Sequence, residues 1–103
     1  MRVAFRLKVR PGKLDEYLEH HTKVWPELLQ DLTAAGYRNY SIFNDGNDLF
    51  GFFECDDCDA ANAAMAKSDA NRRWQSFMSS FLEAAPDPEA GPTVMMQEVF
   101  RLD

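Results

Sequence analysis

The chain has 103 residues, 46% of them hydrophobic, and a formal net charge of −6. This size and composition predict one packed domain that spans residues 1–103. The acidic balance argues against nucleic acid or an anionic membrane as the main partner, because both favour basic surfaces. Charges interrupt the first ten positions, and no segment approaches about 18 consecutive apolar residues. We therefore expect neither a signal peptide nor a membrane span, and a cytoplasmic location.

The first elements are a strand and a helix in two parts. Apolar and charged residues alternate over 2–10, which predicts a strand. Apolar residues then recur with helical spacing over 14–36, but Pro26 does not suit a helix interior. We predict a break near 22–25, a second helix that begins near Pro26, and a C-terminal cap at Gly36.

The rest of the chain alternates between strands and short helices. Two apolar runs separated by a hairpin turn signal predict two strands. Two helices follow, the second with a strong apolar stripe, then a proline-rich loop and a last strand. The predicted ranges are, in order, 37–44, 48–55, 60–66, a helix capped at Ser68 or Asp69, the loop 85–93 and the strand 94–102.

This order of elements predicts an α+β fold. A strand, a split helix, two strands, helices and a final strand form the βαββαβ pattern of ferredoxin-like domains. The third strand, with the sequence LFGFFEC, is apolar on both faces, whereas a sheet with one face in water alternates. We therefore expect a partner subunit or a pocket on its second face. Pairing of two sheets would form a dimeric α+β barrel.

Two cysteines, Cys55 and Cys58, have CxxC spacing. A structural zinc site needs four ligands, and the chain has no second cysteine pair. A redox site is disfavoured because the acidic residues beside the cysteines would raise the thiol pKa. The favoured interpretation is a strand end followed by a helix cap.

His21 is the first candidate for chemistry. It occupies a position on the helical stripe where an apolar residue is expected, one turn after Tyr17. An imidazole exchanges protons near neutral pH. The alternative is a hydrogen-bonded core histidine without a role in chemistry. His20 lies about 100° further around the helix, so the pair does not predict a metal site.

Four aromatic residues are candidates for sugar binding, since sugars are recognised by aromatic faces and hydroxyl hydrogen bonds. Core packing is the alternative for each of them. Tyr40 shares its strand face with Ile42. Glycine-rich phosphate loops and a GxSxG elbow are absent from the sequence. The aromatic candidates are Tyr17, Trp25, Tyr40 and Trp74.

Four segments resemble the L-rhamnose mutarotase family. The longest, YLEHHTKVWPELLQDLTAAGYRNYSIF, contains a specific run of Tyr, His and Trp at four-residue spacing, followed by Pro-Glu-Leu. The others are VAFRLKV, RRWQSFM and QEVFRLD, so the similarity runs nearly from end to end. The resemblance implies a dimeric α+β barrel that interconverts the α and β anomers of L-rhamnose without a cofactor or a metal.

The resemblance also implies roles for individual residues. His21 would be the proton donor, and Tyr17, Tyr40 and Trp74 would contact the sugar. The family has a tryptophan pair in its last long helix, but here Gln75 follows Trp74. Gln75 removes one stacking surface and adds an amide that can hydrogen-bond a hydroxyl. L-Fucose or another 6-deoxy sugar therefore competes with L-rhamnose as the expected substrate.

Two further functions stay open at this point. Dimeric α+β barrels also include small monooxygenases that act on haem or polyketides, in which case His21 could be a haem ligand. A non-catalytic sugar-binding module would keep the aromatic pocket but would tolerate the loss of His21. Within the mutarotase hypothesis, the general base is Tyr17, Tyr40 or a water.

Overall fold

The computed structural model describes residues 1–83 and 94–103, so the predicted loop 85–93 lies outside the described residues. Strands and helices in the described part follow the predicted order. The first strand is followed by two helices, then by a hairpin of two strands, two more helices and a short last strand. The elements are β1 Arg2–Lys8, α1 Leu14–His20, α2 Pro26–Ala35, β2 Arg38–Asp45, β3 Asp48–Glu54, α3 Cys58–Ala66, α4 Asp69–Met78 and β4 Val94–Met96.

The four strands form one antiparallel sheet in the order β2-β3-β1-β4. β1 is central, paired with β3 from Arg2↔Glu54 to Lys8↔Asp48. Helices connect β1 to β2 and β3 to β4, which is the ferredoxin-like βαββαβ topology. The predicted α+β fold is confirmed.

The core lies between the helices and one face of the sheet. Alternate residues of β1 and β3 point to this face, as the period of two in the sequence predicts. The helices pack buried aromatic and sulfur-containing side chains against these strand residues. Buried residues of this core include Phe5, Leu7, Val9, Leu28, Leu49, Phe53, Met65, Trp74 and Met78.

A glycine in β3 makes room for an aromatic ring. Gly51 lies opposite Phe5 in the ladder, and a Cβ built on Gly51 would lie only 2.1 Å from the Cζ of Phe5. The Phe5 ring therefore lies across the Gly51 backbone on the core side of the sheet.

The break in the first helical segment occurs where proline predicts it. α1 ends at His20, and Pro26 begins α2 in the first helical turn. Gly36 ends α2 with a φ of 106°, a left-handed conformation that suits glycine. Leu28 on α2 is buried in the core, whereas the neighbouring Leu29 is exposed.

Side chains cap both later helices. Asp57 accepts a hydrogen bond from the Ala60 N–H at 3.0 Å, so α3 begins slightly before the predicted residue 60. Ser68 accepts one from the Asn71 N–H at 3.0 Å and also donates to Asp31 on α2. The Ser68 hydroxyl thus caps α4 and connects it to α2.

The predicted last strand, 94–102, is wrong in length. β4 pairs with β1 at only three positions, from Ala4↔Met96 to Arg6↔Val94. The residues that follow Met96 are not in a strand, and Val99 and Phe100 are exposed. Alternation predicts an extended chain, but it carries no information on whether a neighbouring strand remains to be paired.

The cysteines lie at the predicted strand end and helix start. Cys55 follows β3 and is buried, and Cys58 begins α3 after its cap. The two residues have Cα atoms 5.4 Å apart and form a disulfide bond, which differs from the favoured interpretation of the CxxC spacing as a strand end and a helix cap alone. No helix in residues 1–83 and 94–103 is long and apolar enough to cross a membrane.

Candidate active site

A cavity of about 300 Å³ lies between the helices and the sheet. Its wall combines residues of the sheet with residues from the end of α1 and the inner faces of α3 and α4. Five of the six residues predicted to act on a sugar line this cavity, namely Tyr17, His21, Tyr40, Trp74 and Gln75. The sixth, Trp25, is not among the described lining residues.

The end of α1 holds His21 in a defined orientation. His21 is the C-cap residue, so it lies just past the helix rather than within it as the stripe predicted. Its Nδ1 is 2.9 Å from the carbonyl oxygen of Tyr17. A carbonyl can only accept, so Nδ1 carries the hydrogen and donates it. Nε2 is then the ring nitrogen left to exchange a proton.

Burial sets the acidity of His21. Removal of the imidazole from water lowers its pKa below the ordinary 6.5. The hydrogen bond to the Tyr17 carbonyl acts in the opposite direction, and the nearby His20 lowers the pKa again. His21 is therefore mainly neutral at pH 7, and its protonated form is a stronger acid than a histidine in water.

Tyr17 supports His21 from one side. The two rings stack with their centroids 4.1 Å apart and an interplanar angle of 28°. Tyr17 is buried, and burial raises its pKa above the ordinary 10. The phenol therefore stays protonated at neutral pH and presents a hydroxyl group to the cavity rather than a phenolate.

An irregularity in β2 precedes Tyr40. The register with β3 shifts between Arg38 and Ser41, and Asn39 has a φ of 52°. The Asn39 amide donates to the Glu54 carboxylate, which connects the irregular segment to β3. Tyr40 and Ile42 both line the cavity, as their predicted shared strand face requires.

The hydroxyl group of Tyr40 is buried, although the residue as a whole is partly exposed to solvent. Tyr40 is 41% exposed, and its ring packs against Phe53 with centroids 5.2 Å apart. Burial of the hydroxyl raises its pKa, and charge on Tyr17 would raise it further. Tyr40, like Tyr17, is therefore a hydroxyl donor at neutral pH.

Trp74 forms the wall contributed by α4. It meets His21 edge to face with centroids 5.4 Å apart, and Trp25 packs against it at 5.1 Å. Trp25 lies behind Trp74, outside the cavity lining formed by the described residues. Arg73 lies 5.5 Å from the Trp25 ring, in cation–π contact. Trp25 therefore supports the Trp74 ring from outside the cavity lining.

Several polar lining residues were not predicted. Asn71 lies one helical turn before Gln75, and Asp59 and Asn62 are three residues apart on α3. A polar residue on the inner stripe of a helix is a signal that could have identified Asn71. Tyr37, from the start of the hairpin, also lines the cavity.

The two histidines occupy different surroundings. His20 packs against Phe77 and Phe81, with centroids 4.7 and 5.5 Å away, while His21 lines the cavity. Within the described ranges, no group of three or more His, Cys, Asp or Glu side chains could hold a metal ion. The cavity instead combines one titratable imidazole with aromatic faces, hydroxyls and amides. Such a set can bind a sugar and exchange protons with it.

Known proteins match the chain along nearly its whole length. Residues 2–102 match the family described as L-rhamnose mutarotase. A protein named L-rhamnose mutarotase from Oceanobacillus iheyensis is 36% identical over 99% of this chain and 98% of its own length. One from Burkholderia orbicola is 39% identical over 82% of this chain and 83% of its own length.

Solved structures agree with the sequence comparisons. The crystal structure of an L-rhamnose mutarotase from Formosa agariphila covers 100% of this chain and 99% of its own, with 31% identity and a TM-score of 0.81. A NIPSNAP domain protein from Burkholderia xenovorans has a TM-score of 0.61 at 19% identity, over 100% of both chains, and shares the fold. The chain belongs to the L-rhamnose mutarotase family and is an enzyme of the isomerase class.

Proposed function

We propose that this enzyme interconverts the α and β anomers of L-rhamnose or a related 6-deoxy sugar such as L-fucose. The observation that carries the proposal is the placement of His21. His21 lines the same cavity of about 300 Å³ as Tyr17, Tyr40 and Trp74. Its Nδ1 is hydrogen-bonded to the Tyr17 carbonyl, which leaves Nε2 to exchange a proton. The matched relatives are named for the same reaction with L-rhamnose.

The proposed reaction moves protons and opens one bond. Protonated His21 gives its Nε2 proton to the ring oxygen of the pyranose while the anomeric hydroxyl loses its proton. The bond between the anomeric carbon and the ring oxygen breaks, and an aldehyde forms. After the aldehyde rotates, the former ring oxygen attacks either face, His21 recovers its proton, and the new anomeric oxygen is protonated. No net proton is consumed.

The pKa directions support separate roles for the histidine and the tyrosines. Burial raises the pKa of both Tyr17 and Tyr40, so neither phenol is a good base near neutral pH. We assign these hydroxyls to hydrogen bonds with the sugar. The proton of the anomeric hydroxyl passes to a water at the open side of the cavity.

The cavity wall suits a 6-deoxy sugar. Its sheet side is apolar, with Val3, Phe5 and Leu7 among the lining residues, and can receive the C6 methyl group. Aromatic rings supply stacking surfaces, and Gln75 supplies an amide for a ring hydroxyl. This amide is the reason for keeping L-fucose beside L-rhamnose.

We also propose that two copies pair through the open face of the sheet. Ladder partners place Phe43 beside Phe50, and Ala4 beside Phe52, on the face away from the helices. Phe43 is 66% exposed. Phenylalanine rings of this kind favour burial against another surface, and a second copy would supply matching rings. Arg2 and Arg6 of β1 lie on the same face beside them.

Saturation-transfer NMR between the α and β anomeric protons tests the activity directly. L-Rhamnose and L-fucose are measured separately, with and without the protein. Exchange accelerated by the protein for either sugar supports mutarotation, and the faster sugar is the preferred substrate. A folded protein that binds a sugar without accelerating exchange would be the non-catalytic sugar-binding module instead.

A further inference from the structure

A buried asparagine stands behind the glutamine of the cavity wall. Asn71 is only 7% exposed. Within the described part of the chain, it is the only buried residue with an amide or charged side chain. Its backbone N–H donates to the Ser68 cap at 3.0 Å, which holds the first turn of α4. Both Asn71 and Gln75 line the cavity, one helical turn apart.

Hydrogen-bond partners determine which way both amides face. The Asn71 side chain lies 3.3 Å from the carbonyl oxygen of Met65, which can only accept. Asn71 must therefore direct its NH₂ group to Met65 and its Oδ1 to Gln75, also 3.3 Å away. Since Oδ1 can only accept, Gln75 must direct its NH₂ group to Asn71. The two amide orientations thus follow from one backbone carbonyl.

This orientation of the two amides leaves the Oε1 atom of Gln75 to interact with a ligand. With its NH₂ group directed to Asn71, Gln75 has its Oε1 on the opposite side of the amide. Gln75 is half-buried and lines the cavity next to Trp74. A carbonyl oxygen can accept a hydrogen bond from a sugar hydroxyl.

We propose that Asn71 is a positioning residue that holds Gln75 as a hydrogen-bond acceptor and so sets the preference among 6-deoxy sugars. The proposal rests on the proposed mutarotase function, because it assigns the substrate selection of that cavity. An amide held before binding loses less rotational freedom when the sugar binds. An amide held with its oxygen toward the sugar leaves that oxygen without a partner when a sugar has no hydroxyl there, and so disfavours that sugar.

Two substitutions at one position separate positioning from simple structural support. Asn71→Leu keeps the number and branching of the side-chain heavy atoms but has no hydrogen-bonding group, so Gln75 loses its anchor. Asn71→Asp keeps an acceptor for the Gln75 NH₂ group but places a carboxylate against the Met65 carbonyl. We expect both variants to lose stability, whereas only Asn71→Leu should release Gln75.

The first readout is the side-chain amide NMR spectrum of the sugar-free protein. In the wild type and in Asn71→Asp, the Gln75 amide protons should differ from those of the exposed Gln30, which serves as an internal reference. In Asn71→Leu they should move to the position of a solvated amide. This readout requires no catalysis, so it tests positioning even if the enzyme does not anomerise either sugar.

The second readout is the ratio of anomer exchange rates for L-rhamnose and L-fucose. Asn71→Leu should change this ratio about fivefold or more, Gln75→Leu should change it to the same extent, and the double variant should change it no further. Asn71→Asp should keep the wild-type ratio despite its lower stability. A folded Asn71→Leu protein with the wild-type ratio, or with an unchanged Gln75 amide spectrum, would overturn the proposal.

Discussion

The imidazole of His21 is held twice by Tyr17. The Tyr17 ring stacks on it at 4.1 Å, and the Tyr17 backbone carbonyl accepts the hydrogen of Nδ1 at 2.9 Å. Both contacts come from one residue of α1, four positions before His21 in the chain. Stacking restricts ring rotation, and the hydrogen bond selects the tautomer, so the position of the proton-exchanging Nε2 is determined before a sugar binds.

Replacing His21 tests its role as the proton donor. We expect His21→Asn to lower the rate of anomer exchange by about 10²–10⁴-fold, since this is the usual contribution of general acid–base catalysis. His20→Asn is the matched control, because His20 packs against Phe77 and Phe81 away from the cavity. Saturation-transfer NMR on both folded variants gives the comparison. Full activity in His21→Asn would remove His21 from the mechanism.

The activity should depend on pH in one direction. Burial lowers the pKa of His21 below 6.5, and the proposed donor is the protonated form. The exchange rate should therefore fall as pH rises through this lowered pKa, measured at low sugar concentration so that the free enzyme is reported. A rate that increases with pH across the same range would instead make neutral His21 the base.

Stability should depend on pH in the opposite sense. The folded protein holds His21 with a lowered pKa, so below pH 6.5 the unfolded chain binds more protons at this residue than the folded chain does. The contribution of neutral His21 to the free energy of unfolding is complete above pH 6.5 and is lost as pH falls through the lowered pKa. Urea denaturation from about pH 5 to about pH 7 should show a steeper rise in the wild type than in His21→Asn. Equal slopes would contradict this.

Gly51→Ala should destabilise the sheet. The new methyl group would lie 2.1 Å from the Cζ of the buried Phe5, so the ring would have to leave its place across the Gly51 backbone. We expect a loss of about 1–3 kcal/mol in the free energy of unfolding, as for other overpacked cores. Urea denaturation measures it. Combining the change with Phe5→Leu should cost less than the sum of the two single changes, and strict additivity would argue against the contact.

Phe43→Asp tests pairing through the open sheet face. Phe43 is exposed in the single chain, so the substitution should leave the protomer folded but place a charge in the proposed interface. Light scattering coupled to size exclusion should show a dimer for the wild type and a monomer for the variant. Leu29→Asp, at an exposed apolar position on α2, should remain a dimer. A monomeric wild type would refute the proposed pairing.

The sequence by itself determined the local elements and one part of the cavity. Proline and glycine chemistry placed the break before Pro26 and the cap at Gly36, because both depend on the backbone of a single residue. Helical spacing brought Tyr17 and His21 together, since residues four apart lie one above the other. These predictions needed only neighbours along the chain.

The tertiary structure alone decided the contacts between distant segments. The strand irregularity before Tyr40, the short pairing of β4 with β1, and the hydrogen bond from Asn71 to the Met65 carbonyl each depend on where the backbone of another segment or turn lies. Periodicity shows which face of an element is apolar, but it does not show which partner meets that face. The cavity, and the direction of the amides in its wall, therefore emerge only when the helices pack on the sheet.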